Sequence, residues 1–111
     1  MSAVRDQHRH AMDLADQAFA ARRLGDHSSA AALFRQAFEH ERQAAELAGA
    51  DEAVEPTRSV LVRSAATLAL DCGELREAER LVAAALSGDP PAEIADELRD
   101  VLVLQPHFDA W

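Results

Sequence analysis

Residues 59–92, SVLVRSAATLALDCGELREAERLVAAALSGDPPA, carry the pattern on which the fold turns. Val62, Ala66 and Ala69 recur at steps of four and three, so they share one face of a helix. Gly73-Glu74 interrupts that helix. Glycine supplies the left-handed backbone that ends helices, and an acid just after it suits the positive start of the next one. Ala78, Val82 and Ala85 mark a second apolar face, and Pro90 closes the stretch. The same order of residue types stands 48 positions earlier as Leu14, Ala18, Ala21, Gly25-Asp26, Ala30, Phe34 and Ala37. An internal repeat of this kind points to helical hairpins stacked side by side, and hence to a surface that binds other proteins.

The residues outside the repeat extend the pattern to five helices. Residues 3–24 read as helix one, with Val4, Ala11, Leu14, Ala15, Ala18, Phe19 and Ala21 as a wide apolar stripe. Arg22 and Arg23 suit its C-terminal dipole, and Gly25 is its stop. Helix two starts near Asp26–Ser29, with Asp26 or Ser28 as its cap. Its stripe is Ala30, Leu33, Phe34, Ala37, Phe38, Glu41, Ala45 and Ala48, and it runs to Leu47 or Ala48 before Gly49. Ala50–Glu55 reads as an acidic loop, and Pro56 fits the first turn of helix three. Helix three, about 57–72, is apolar nearly all round, which places it at the centre of the domain. Helix four covers 74–87. Asp89 and Pro90 are the expected cap and first position of helix five, about 91–104, and Pro106 ends it.

Composition bounds the function. The 111 residues fit one domain, spanning 1–104 with a tail at 105–111. A hydrophobic share of 49 % supports a folded chain, and with aromatics at 5 % it describes closely packed helices rich in Ala. The net charge of −9 disfavours a nucleic-acid binder, which needs cations to displace counterions, and a polybasic membrane surface. No apolar run approaches a membrane span. Cys72, the one cysteine, has no partner for a disulfide within the chain. The polar start, Ser2-Ala3-Val4-Arg5-Asp6, lacks the apolar stretch of a signal peptide, so a cytoplasmic location is expected.

The two patterned stretches resemble tetratricopeptide (TPR) repeats, helix–turn–helix units that stack into a solenoid. That family places small residues where helices cross closely. Ala18, Ala30 and Ala37 match those slots in a first unit, about 11–44, and Ala66, Ala78 and Ala85 in a second, about 59–92. Phe34 and Val82 match the large apolar position between the last two. The second unit has its closing Pro90, whereas the first carries Arg42 there. The 48-residue offset exceeds the usual repeat length of about 34, the excess lying in helix two and the loop to Pro56. The resemblance therefore implies a compact all-α bundle of TPR-like antiparallel hairpins with a shallow groove, closed by helix five as a cap.

The resemblance also implies a binding surface. The first helix of each unit lines the concave face, here Met12, Ala15, Asp16, Phe19, Arg22 and Arg23 from helix one and Val60, Arg63, Ser64 and Thr67 from helix three. Arg63 would meet a carboxylate of a bound peptide, and Met12 and Phe19 would give apolar contact. The plainer alternative packs Phe19 on helix two and uses Arg63 in an internal ion pair. Phe108 and Trp111 in the tail are further partner-binding candidates, since Trp is favoured at the centres of interfaces. They dock on a partner, join a homodimer contact, or fold back on their own domain. The family's chaperone clamp needs Lys and Asn where Ala15 and Phe19 stand, which disfavours that specialised role.

No catalytic, cofactor or metal set is expected. His8 and His10 lie two apart and so point to different helix faces. His40, between Glu39 and Glu41, reads as part of a solvated face. Cys72 ends helix three beside Asp71, where a thiolate is disfavoured and a buried structural role expected. No convergent nucleophile, base and oxyanion donor is visible, so the chain is not expected to be an enzyme. The expected function is that of a TPR-like adaptor or scaffold binding a protein or peptide through the groove of helices one and three. The alternative is an acidic regulatory or inhibitory subunit that neutralises a basic effector, with Glu93, Asp96, Glu97 and Asp100 as its acidic face.

Overall fold

The chain turns the same way at Gly25 and Gly73, the positive-φ residues of the described chain, with φ of +80° and +83°. At the first turn the Gly25 N–H donates to the Arg22 carbonyl (3.0 Å) and the Asp26 N–H to that of Ala21 (3.0 Å). At the second the Gly73 N–H donates to Leu70 (3.1 Å) and the Glu74 N–H to Ala69 (2.7 Å). This paired closure satisfies carbonyls that a helix end otherwise leaves without donors. Only a residue without Cβ takes that conformation cheaply, so the two glycines of the repeat fix two equivalent reversals.

The computed structural model describes residues 2–49 and 55–103. They form five helices, α1 (Ala3–Arg23), α2 (His27–Gly49), α3 (Thr57–Asp71), α4 (Leu75–Leu86) and α5 (Ala92–Val103), with no strand among the described residues. The fold is all-α, as the spacing predicts. Most of the loop read at Ala50–Glu55, and Phe108 and Trp111 of the tail, lie outside the described residues.

The helix starts show which caps are used. Ser2 caps α1 by accepting the Arg5 N–H at 3.2 Å. Asp26, not Ser28, caps α2, accepting the Ser29 N–H at 3.1 Å, and hydrogen bonding from the Ser29 side chain, then from this N–H, holds its carboxyl below the ordinary value. Two starts differ from expectation. Pro56 sits at the N-cap of α3 rather than in its first turn, its carbonyl accepting the Val60 N–H. The capping side chain is that of Glu55, whose carboxylate accepts from the Ser59 N–H (3.0 Å) and Oγ (2.8 Å). In α5 the Ala95 N–H donates to Pro91, so the helix starts after Pro91 and Asp89 precedes its cap. A residue before proline is pushed out of the helical region, so Pro90 stays outside when Pro91 follows.

The order of packing follows the order of the chain. The α2 helix lies between α1 and α3, α4 packs on α3, and α5 covers α3 and α4. The α3 helix buries Leu61, Val62, Ala65, Ala66, Leu68, Ala69 and Leu70, as its all-round apolar sequence requires. Ala18, Ala30, Ala37, Ala66, Ala78 and Ala85 are each at most 6 % exposed. Phe34 and Val82, 48 positions apart, are both buried in the core.

Candidate functional site

The α1 and α3 helices run in the same direction. Their N-terminal ends together wall a cavity of about 380 Å³, lined by Ser2, Val4, Arg5 and His8 from the start of α1 and by Pro56, Thr57, Val60 and Leu61 from the start of α3. Near their C-terminal ends Arg22 of α1 reaches Asp71 of α3 at 3.7 Å. The two helices thus wall a cavity at one end and are bridged by an ion pair near the other.

Behind the cavity stands a buried carboxylate. Glu41 of α2 is 0 % exposed, whereas the His8 side chain is 43 % exposed. The His8 Nδ1–H donates to both Glu41 oxygens, each at 2.9 Å. A buried carboxylate without a donor would cost several kcal/mol, so the contact is what makes its burial tolerable. Glu41 falls on the apolar stripe of α2, four residues before Ala45 and three after Phe38, and that periodicity is why it points inward.

Directly before Glu41 in the chain, His40 corrects the expectation of a solvated face. It is half-buried, its ring stacked on that of His10 with centroids 4.1 Å apart. Its Nδ1–H donates to the Gln7 Oε1 at 2.7 Å. Burial, followed by the neighbouring His10, lowers its pKa from the ordinary histidine value. Sequence reasoning missed both contacts because they join residues 33 apart. The signal that was present is the Glu41 position within an apolar stripe. No group of three or more His, Cys, Asp or Glu among the described residues is arranged to hold a metal ion.

The residues singled out from the resemblance do not gather on one surface. Val60 lines the cavity. Phe19 and Arg22 cluster at the bridged end. Phe19 meets Phe34 edge-on, with centroids 5.0 Å apart, and the Arg22 guanidinium lies 4.9 Å from the Phe19 ring centre and 5.2 Å from that of Phe34. Met12 is half-buried against the core. Asp16, Arg23 and Thr67 are exposed and Ser64 is half-buried; the Thr67 hydroxyl donates back to the Arg63 carbonyl. Arg63 turns to α5 and pairs with Glu97, the internal use of that arginine weighed above. Phe19 likewise packs on α2 while keeping 36 % of its surface exposed.

A second concavity, about 510 Å³, lies between α2 and α4. Its charges are spent on one another. Arg35 pairs with Glu74, Arg42 with Glu39 and Glu46, and Arg80 with Glu77. Cys72 adjoins this face, half-buried rather than fully buried, with its Sγ–H directed at the Ala69 carbonyl. Burial raises its thiol pKa, and the Arg35 charge offsets only part of that, so the thiol form dominates near neutrality. None of the described helices is long and apolar enough to cross a membrane. No family model, curated protein or solved structure matches this chain.

Proposed function

We propose that this chain is a non-catalytic protein-interaction module of TPR-like build, an adaptor that holds a protein or peptide partner in the groove between α1 and α3. The observation that carries the proposal is the parallel course of those two helices, with a cavity between their N-terminal ends and an ion pair near their C-terminal ends. The two equivalent glycine turns and the six buried alanines support the repeat reading, because stacked hairpins need small residues at the same points of each unit. The exposed edge of Phe19, with Arg22 stacked on it, offers the kind of aromatic and guanidinium surface on which interface energy concentrates.

The test is capture from a native lysate with the intact chain, beside Asp16→Arg and Thr67→Arg, which alter exposed groove positions without touching the core. A partner retained by the unaltered chain at about 0.5 M salt and lost by both variants supports the groove. A partner indifferent to both variants but released by that salt supports instead the acidic neutralising role, carried by the exposed Glu93, Asp96 and Asp100 of α5. Recovery of no specific partner overturns the adaptor proposal.

A further inference from the structure

We propose that the cavity between the N-terminal ends of α1 and α3 binds a small organic acid, a carboxylate carrying an apolar chain. Its volume of about 380 Å³ falls in the range of small-ligand sites. Its lining has two characters. Val4, Pro56, Val60 and Leu61 give an apolar wall, while Arg5 and His8 are the only ionisable residues on it among the described residues. In a chain of net charge −9, a lining whose described residues include two basic groups and no acid stands out. It is complementary to an anion.

The backbone adds to that field. The cavity sits where two helices begin, at Ser2 and Val4 of α1 and at Pro56 and Thr57 of α3. Each helix start carries a partial positive charge; side chains already cap both, Ser2 in α1 and the Glu55 carboxylate in α3, so the charge left without a partner among the described residues is that of Arg5. The nearby Glu55 carboxylate is committed to Ser59 and does not line the cavity. The site is also built from behind. Glu41 holds the His8 ring by Nδ1, and Nε2 has no hydrogen-bond partner among the described residues. The concavity between α2 and α4 makes the contrast, since each of its arginines already has a carboxylate, whereas the Arg5 guanidinium has none among the described residues. Phosphate alone would gain the charge interactions but leave the apolar wall in water, which favours an acid with a hydrocarbon body.

This site rests on the cavity and not on the adaptor proposal, and either can fail alone. The probe is sodium octanoate, titrated calorimetrically into the intact chain with octanol, octylamine and inorganic phosphate as the other arms. Octanoate is expected to bind one per chain with a Kd below about 1 mM, and each of the other three at least about tenfold more weakly. Arg5→Glu, on an exposed position, is expected to weaken octanoate by about tenfold or more, the value of one charge-assisted hydrogen bond. Thr57→Glu sets a carboxylate in the first turn of α3, where it suits the helix, so melting should hold while octanoate binding falls to a similar degree. Absence of binding at about 10 mM octanoate overturns the proposal. So does equal binding of octanol or of phosphate, or an unchanged Kd in Arg5→Glu.

Discussion

His8→Ala is expected to destabilise this protein far more than removal of the acid it contacts. The substitution leaves the Glu41 carboxylate, 0 % exposed, with neither of its 2.9 Å contacts. Leaving a buried carboxylate without its partner costs roughly 3–5 kcal/mol. The low end applies, because His8 lines an open cavity and its loss lets water approach Glu41. The expected cost is therefore about 3 kcal/mol, and for a chain of this length about 4 °C of melting temperature per kcal/mol makes it about 12 °C. Glu41→Leu removes the buried charge itself and fills the space with carbon. The His8 ring it abandons is 43 % exposed and turns to water, so stability should stay within about 1 kcal/mol of the parent or rise. The double variant should recover most of the His8→Ala loss. Urea unfolding followed by circular dichroism, with constant m-values, measures all three. A His8→Ala variant melting with the parent, or a Glu41→Leu variant as damaged as His8→Ala with purely additive effects, would refute the assignment of this pair.

The remaining predictions concern the frame and its pH response. Ala66→Leu and Ala78→Leu each force a larger side chain into a crossing where the methyl is 0 % exposed, and should cost about 1–3 kcal/mol in urea unfolding; unchanged midpoints would mean the helices do not cross there. Gly25→Ala and Gly73→Ala meet no atom within 4 Å, so backbone strain alone should cost each about 1–2 kcal/mol, and by nearly the same amount, because the two turns share one geometry. His40 has a folded-state pKa below the ordinary 6.5, so the unfolded chain takes up the proton first as pH falls. Its contribution is intact above the unfolded value and is lost as pH falls through the lowered folded value. The urea midpoint should therefore drop as pH falls below 6.5, with a shallower drop in His40→Gln, and an identical profile in that variant would remove His40 from the response.

Much of the frame was legible because it is local. Gly25 and Gly73 end helices through their own φ angles, and the three- and four-residue spacing of Ala, Leu and Val sets which faces turn inward. Neither depends on a distant residue. The misread caps have a local cause too, since the rule that Pro suits a first turn gave way at Pro90 to the stronger constraint of the Pro91 that follows. Arg63 is the opposite case. Its position on α3 was readable, but whether it faced a groove or an acid depended on where α5 came to rest, and Glu97 decided it.

What the sequence determined by itself is the set of five helices, their two equivalent glycine turns and the alanine stripes that let them pack closely. These follow from periodicity and backbone sterics, which act over a few residues. Only the tertiary structure decided that α1 and α3 run parallel, that Arg5 and His8 share a cavity with Val60 and Leu61, and that Glu41 is the carboxylate behind it. The physical reason is that an ionisable side chain takes its character from what surrounds it. Glu41 and its neighbour Glu39 differ little as sequence, yet one is sealed beneath His8 and the other pairs with Arg42 in water.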